Sequence, residues 1–429
     1  MTSQASSAAR PSALFRAGNP RFTSVSTEDM ERRVSEVVSQ FLQVQNLALL
    51  FGAGTVFHLG SPQIRKVSLE KLTEMISNAG LVAPASAEDL MSSLIGDRKV
   101  DLERLLASLS SALVFAAATD ADQIPLGDAS HPIETVTTAR SLINRALAHA
   151  CDLPAAGFVG EPWSVHNEFF RRLLRSRRQD LPRSRVFTTN YDLAIEQSLD
   201  SAGISCLDGL VGSVERILRP ESYMRDLYLV PRPGESRLLR VPELIYLYKL
   251  HGSIDWRVDP SALGTQVRQS KRGGDDDDAL ALIYPTPQKD NDALGYPYSD
   301  LLRLFAASLS QPETALLVSG YSFADDHINR LIFQALASNA SLQFLVLEPF
   351  GVVDEAGSLV EPNDDGSTAR RLAATKDARV TVLTGPLAEF KNFAEQVMPD
   401  PDEVSDSEES DTSRELAAAL GVDSHETSN

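Results

Sequence analysis

The sequence predicts an α/β fold in which a mostly parallel sheet is flanked by helices and interrupted by a helical insertion. Three observations predict it. Short apolar runs recur at residues 47–51, 185–188, 245–250, 315–319 and 344–347, the pattern of strands buried on both faces of a parallel sheet. Segments with helical periodicity alternate with those runs. A block without strand signals, about residues 60–180, separates the first run from the second.

Taken in chain order, residues 1–26 are rich in Ser, Ala and Arg and precede the first acidic residue, Glu28. They are expected to form a disordered leader. Ser26, Thr27, Glu28 and Asp29 make a capping-type helix start, and Val34, Val37, Val38, Phe41 and Val44 follow on one helical face. The run 47–51 then stops at Gly52. In the block that follows, Val100, Leu102, Leu105, Leu106, Leu109 and Leu113 share one face. Val136, Ala139, Ile143 and Leu147 share a second, and Phe169, Phe170, Leu173 and Leu174 a third. Arg171, Arg172, Arg175, Arg177, Arg178, Arg183 and Arg185 cluster at its end; a solvated helix face explains them, with an acidic partner or a phosphate as the competing reading. A further strand is expected at 380–383 and a closing helix at 387–397. The KRGGDDDD stretch, 271–278, has no packing potential and reads as a loop.

The domain thus spans 27–398, and 399–429 is expected to be an acidic disordered tail. Residues 400–429 carry ten Asp or Glu against one Arg, Arg414. The formal charge of −19 opposes nonspecific DNA binding across the whole surface, and no direct sequence-specific nucleic-acid binding is expected. No run approaches the roughly 20 apolar residues of a membrane span, so no membrane contact is expected either. With only Cys151 and Cys206, a disulfide framework or a four-cysteine zinc module is excluded, and the expectation is a cytoplasmic protein without a bound metal.

The chemistry-bearing residues sit where strands end. Gly52, Ala53, Gly54 and Thr55 follow the first strand; such a turn suits a pyrophosphate, and a plain tight turn explains it equally. Thr188, Thr189, Asn190, Tyr191 and Asp192 follow the second. Helix capping needs one of these side chains, so the whole cluster favours ligand contact. His251, Gly252 and Ser253 follow the run at 245–250, where an imidazole at a crevice rim suits proton transfer and a structural histidine is the alternative. Asp255 and Trp256 just beyond read as packing residues. Gly320, Tyr321, Ser322 and Phe323 make a second glycine turn, ahead of a helix marked by Ile328, Leu331, Ile332 and Leu336. Asp325 and Asp326 suit that helix's first turn. Glu348 closes another strand, within reach of a ribose hydroxyl or simply at the surface.

In order, GAGT at 52–55, TTNYD at 188–192, HGS at 251–253 and GYSF at 320–323 resemble the sirtuin superfamily over about residues 46–395. The resemblance implies a Rossmann-like NAD-binding domain with NAD as substrate. Gly52, Ala53, Gly54 and Thr55, with Thr188 and Thr189 beside them, would hold the pyrophosphate and nearby ribose. Asn190 would contact the nicotinamide ribose or position the attacking water, Asp192 would orient the nicotinamide end, and His251 would be the base at a ribose hydroxyl. Gly320 and Ser322 would hold the adenosine half, with Glu348 at its ribose.

Two departures steer the expected reaction. Deacylating sirtuins carry a GxPDFR-like segment shortly after the GAG turn and a four-cysteine zinc module, and this chain has neither. It is more similar to bacterial sirtuin-like NADases of anti-phage defence, which hydrolyse NAD without an acyl acceptor. The expectation is therefore an NAD⁺ glycohydrolase yielding nicotinamide and ADP-ribose, with a protein deacylase or ADP-ribosyltransferase, or a non-catalytic NAD sensor, as alternatives. The resemblance further implies a homo-oligomer controlled by a separate protein such as a HerA-type ATPase.

Overall fold

The apolar runs become strands of one eight-stranded sheet. The computed structural model describes residues 12–16, 27–60, 66–153, 161–231, 238–259, 266–270, 280–282, 296–350, 352–353, 359–360, 372, 375 and 377–400. The sheet holds β1 (Ala13–Arg16), β2 (Asn46–Phe51), β3 (Arg185–Thr188), β4 (Ser205–Leu207), β5 (Leu244–Lys249), β6 (Thr314–Ser319), β7 (Gln343–Glu348) and β8 (Val380–Thr384). Their spatial order is β1-β8-β7-β6-β2-β3-β5-β4. All neighbours are parallel except β1, which pairs antiparallel with β8.

The chain therefore leaves β2 towards β3, β4 and β5 on one side and returns to lay β6, β7 and β8 on the other. The reversal falls between β2 and β6, where an open α/β sheet forms its ligand crevice. Register aligns the strand ends there: Leu383, Leu347, Ser319, Phe51, Thr188 and Lys249 lie in one row across six strands.

Period-two alternation divides the core. Leu47, Leu49 and Phe51 face α1 (Thr27–Leu42), and Ala48 and Leu50 face the other way. In the helical block come α2 (Leu69–Asn78), α3 (Ala85–Ile95), α4 (Leu102–Thr119), α5 (Ile133–Cys151) and α6 (Ser164–Ser176), followed by α7 (Ala194–Ala202) after β3. Phe169, Phe170 and Leu173 of α6 join α1 against the sheet, whereas α2 to α5 bury a core of their own that also takes in Tyr191, Leu193 and Ile254. The opposite face is covered by α8 (Tyr298–Leu309) and α9 (Asp326–Ser338) through Phe305, Ile328 and Ile332, with Trp256 in the same cluster. Trp256 is thus a packing residue.

Several expectations need correction. Within the span read as a leader, Ala13–Arg16 is a strand, because β8 offers an open edge that it pairs with residue for residue. A second, five-stranded antiparallel sheet was not foreseen; its longest strand, Gly252–Asp259, begins directly after His251. Among the described residues α4 is long and apolar enough by length and composition to cross a membrane, but it carries Glu103 and Arg104 and no run of about 20 apolar residues, and Leu102, Leu106 and Leu109 lie in the insertion's core. The acidic tail beyond residue 400 and the 271–278 loop lie outside the described residues.

The arginine cluster is largely structural rather than a free basic face. The guanidinium of Arg177 is buried and donates to the carbonyls of Leu42, Val44, Gln45 and Pro182, fixing the turn between α1 and β2. Arg172 pairs with Glu168, Arg178 with Asp180 and Arg183 with Asp226.

Candidate active site

The two glycine turns meet at the reversal point, backbone against backbone. The Gly52 N–H donates to the Ser319 carbonyl at 3.0 Å and the Gly54 N–H to the Gly320 carbonyl at 2.9 Å. The Thr55 N–H turns back to the Gly52 carbonyl at 3.0 Å. A Cβ on Gly54 would stand 2.6 Å from the Gly320 Cα, and one on Gly320 2.4 Å from the Thr55 nitrogen. These glycines are required first by the contact between turns. Three of the amides expected to face a pyrophosphate are engaged within the protein, while Ala53 is exposed at the apex.

A stability test separates this close approach from ordinary turn strain. Gly320 has φ +65° and Gly60 has φ +76°, but a Cβ on Gly60 meets nothing within 4 Å. Gly60→Ala is expected to cost about 1 kcal/mol, the left-handed penalty alone. Gly320→Ala adds a backbone clash and is expected to cost about 2–4 kcal/mol. Urea denaturation of the two variants checks the difference.

The loop after β3 packs against the first turn. The Asn190 N–H donates to Thr188 Oγ1 at 3.0 Å, and Asn190 Nδ2 donates to Thr55 Oγ1 at 3.3 Å. Thr55 Oγ1 in turn donates to the Gly52 carbonyl at 2.9 Å. Both side chains are buried, so a relay of hydroxyl and amide fixes the Asn190 side chain. The Thr189 N–H continues the ladder to the Phe51 carbonyl at 3.0 Å. Asp192 braces the start of α7 from one residue before its N-cap, Leu193: its Oδ1 accepts from the Ala194 N–H at 3.0 Å. Burial pushes its carboxyl above the usual range, against the pull of Lys249 and the Ala194 N–H.

Lys249, the last residue of β5, was not singled out from sequence. Its ammonium donates to the carbonyls of Tyr191 and Asp192 and to Glu196 Oε1 at 2.9 Å. It therefore clamps the loop that carries Asn190. The signal was present: Lys249 is the one charge in the apolar run 244–250. The phenol of Tyr191 donates to Glu103 of α4 at 3.0 Å, tying the same loop to the helical insertion.

His251 follows one residue later, buried at 3% exposure. Gly252 has φ +88°, which lets the chain leave the parallel sheet and enter the antiparallel one at once. That kink, rather than ligand approach, is the first reason for this glycine. The His251 ring lies 6.4 Å from Tyr191 and 5.4 Å from His327, a first-turn residue of α9 that sequence reasoning also missed.

The remaining expected residues sit at the rim. Ser322 is exposed. Glu348 ends β7 one row beyond Ser319, half-buried, with burial pushing its carboxyl up. Among the described residues, no group of three or more His, Cys, Asp or Glu is placed to hold a metal ion. Cys151 and Cys206 are both unpaired thiols.

Fold and site define a class: a doubly wound α/β protein whose Asn- and His-bearing strand ends gather at the point where strand order reverses. More particularly, residues 184–363 match the SIR2-like domain family. That span holds Thr188–Asp192, His251 and the Gly320 turn, and it begins after the Gly52 turn. No curated protein matches the chain. Among solved structures the chain is similar to a Sir2 homologue in complex with NAD, at 12% identity over 78% of this chain and 87% of that one, with a TM-score of 0.36. It is also similar to a Sir2-homologue mutant in complex with 2'-O-acetyl ADP ribose, at 12% identity over 80% of this chain and 94% of that one, with a TM-score of 0.34.

Proposed function

We propose that the chain is an NAD⁺ glycohydrolase. The observation that carries this reading is the gathering of Asn190, held through Thr55 to the first glycine turn, and of His251 at the strand ends flanking the crevice. The SIR2-like match over 184–363 supports NAD as the substrate. Two buried hydroxyls beside these groups, Ser253 Oγ and Ser319 Oγ, have no hydrogen-bond partner among the described residues, and such atoms at a strand-end crevice suit polar ligand contact.

In this reaction the bond between nicotinamide N1 and ribose C1' breaks, and its electron pair returns to the pyridinium ring, which leaves neutral. Water oxygen bonds to C1' and one proton is released. No strong acid is needed at the leaving group; what accelerates the step is fixed ribose geometry and a preorganised polar site for an oxocarbenium-like transition state. Asn190 fixes the water or the nicotinamide ribose, and His251 takes the proton of a ribose hydroxyl.

The absent acceptor segment and cysteine module favour hydrolysis over acyl transfer. We read the protein further as a homo-oligomeric, NAD-depleting effector of anti-phage defence under a separate HerA-type ATPase; the four sirtuin-like motifs are the support for that part. The test is chromatography of NAD⁺ incubated with the full chain, alone and with the product of its neighbouring gene. Nicotinamide and ADP-ribose are expected in equal amounts, with release lost in His251→Ala and Asn190→Ala. Nicotinamide release that requires an acyl-lysine peptide would move the reading to deacylation, and tight binding without turnover would move it to sensing.

A further inference from the structure

His327 belongs to none of the four motifs, yet it faces the ring assigned the proton transfer. The two Nε2 atoms stand 3.4 Å apart, and the rings lie 29° from parallel. Both side chains are buried, at 3% for His251 and 8% for His327. They come from different parts of the fold, the end of β5 and the first turn of α9. The contact therefore reaches across the crevice, over the ends of β2 and β3, which lie between β6 and β5 in the sheet.

Imidazoles that face each other through one nitrogen apiece can share a single proton between those nitrogens. One ring donates and the other accepts, so each sets the tautomer of its neighbour. The separation is longer than a tight N–H···N bond, as catalytic pairs often are before substrate closes the site. When His251 takes a proton, the partner's lone pair can accept a hydrogen bond from the imidazolium.

We propose that His327 is the positioning residue for His251, holding its tautomer and ring plane for proton transfer from the ribose. The inference rests on the glycohydrolase reading for its chemistry and on the two-ring geometry for its structure. His327→Phe keeps the volume and removes the pairing; His327→Gln keeps a donor and an acceptor.

The test uses the full chain with ¹⁵N-labelled histidine and has two arms. In the kinetic arm, His327→Phe is expected to lower kcat for NAD⁺ cleavage roughly 10- to 100-fold, the scale of groups that orient a catalytic imidazole. KM should stay within about threefold and His327→Gln should recover most of the rate, which a loss of packing alone would not produce. In the NMR arm, the native His251 ring is expected to show one tautomer and the Phe variant an averaged pair, whether or not NAD⁺ turns over. Native kcat and unchanged His251 nitrogen shifts in His327→Phe overturn the inference. So does an equal loss in both variants with unchanged shifts. A native chain that releases no nicotinamide sinks the reaction assignment instead, and the nitrogen shifts still decide the pairing.

Discussion

Lys249→Met is expected to destabilise the fold by about 3–5 kcal/mol, the scale for removing one partner of a buried ion pair. Methionine matches the length of lysine and fills its buried space, so the loss falls on polar groups. The carbonyls of Tyr191 and Asp192 lose their donor, and Glu196 loses its cation. The lysine side chain is 3% exposed, which leaves water little access to replace it. The deficit also depends on pH in a direction that can be worked out. Burial pushes the Glu196 carboxyl up to about 7, while Lys249 pulls it down. A carboxyl with a raised folded value contributes stability fully below its ordinary value near 4.5, and that contribution is lost as pH rises through about 7. Without Lys249 the folded value climbs further, so a neutral Glu196 is tolerated at acid pH and a charged one is punished above neutrality. Urea unfolding of native and Lys249→Met chains should show a clearly smaller gap at pH 5.5 than at pH 8, and adding Glu196→Gln should remove most of the difference. An equal gap at both pH values would mean that Glu196 is not the charge Lys249 serves.

The parallel strands were legible because strands buried on both faces read as continuous apolar runs, and β2, β3, β5, β6, β7 and β8 each appear within a residue or two of the run that announced them. β1 was not. Four residues in a Ser- and Ala-rich segment carry no signal until β8 supplies an edge more than 360 positions away. The antiparallel sheet was hidden differently. Ile254, Trp256 and Val258 alternate with Ser253, Asp255 and Arg257 as a strand should, but the first sheet's rim was expected to end there, and only the Gly252 kink carries the chain onward. At the site, Asn190 and His251 were visible because polar residues at strand ends break an apolar pattern. His327 was not, since its neighbours Asp325 and Asp326 already made sense as the start of a helix and its contact with His251 spans 76 positions. The glycine turns show a limit of motif reading: the motif is present, but Gly52, Gly54 and Gly320 are fixed by the contact between two turns before any ligand is considered.

That contact also makes the largest expected effect on activity separable from stability. Asn190→Ala is expected to reduce kcat by roughly 10²- to 10⁴-fold, the range for a group that positions or activates a reactant. The stability cost should stay near 1 kcal/mol for one lost hydrogen bond, because Thr55 Oγ1 keeps its bond to the Gly52 carbonyl. Thr55→Val reverses the balance. The isosteric side chain strands Asn190 Nδ2 in a buried place, while the Gly52 carbonyl keeps only the backbone N–H of residue 55, so about 1–3 kcal/mol of stability should be lost. Activity falls only as far as Asn190 drifts, roughly tenfold. If Thr55 acts on the reaction through the aim of Asn190, the two substitutions cannot add: Asn190→Ala should cost far less in a Thr55→Val background than in the native chain. Stopped assays of nicotinamide release across the four chains measure the coupling. Additive losses would show that the hydroxyl serves the turn alone and that Asn190 is aimed by its own backbone, where the N–H already donates to Thr188 Oγ1.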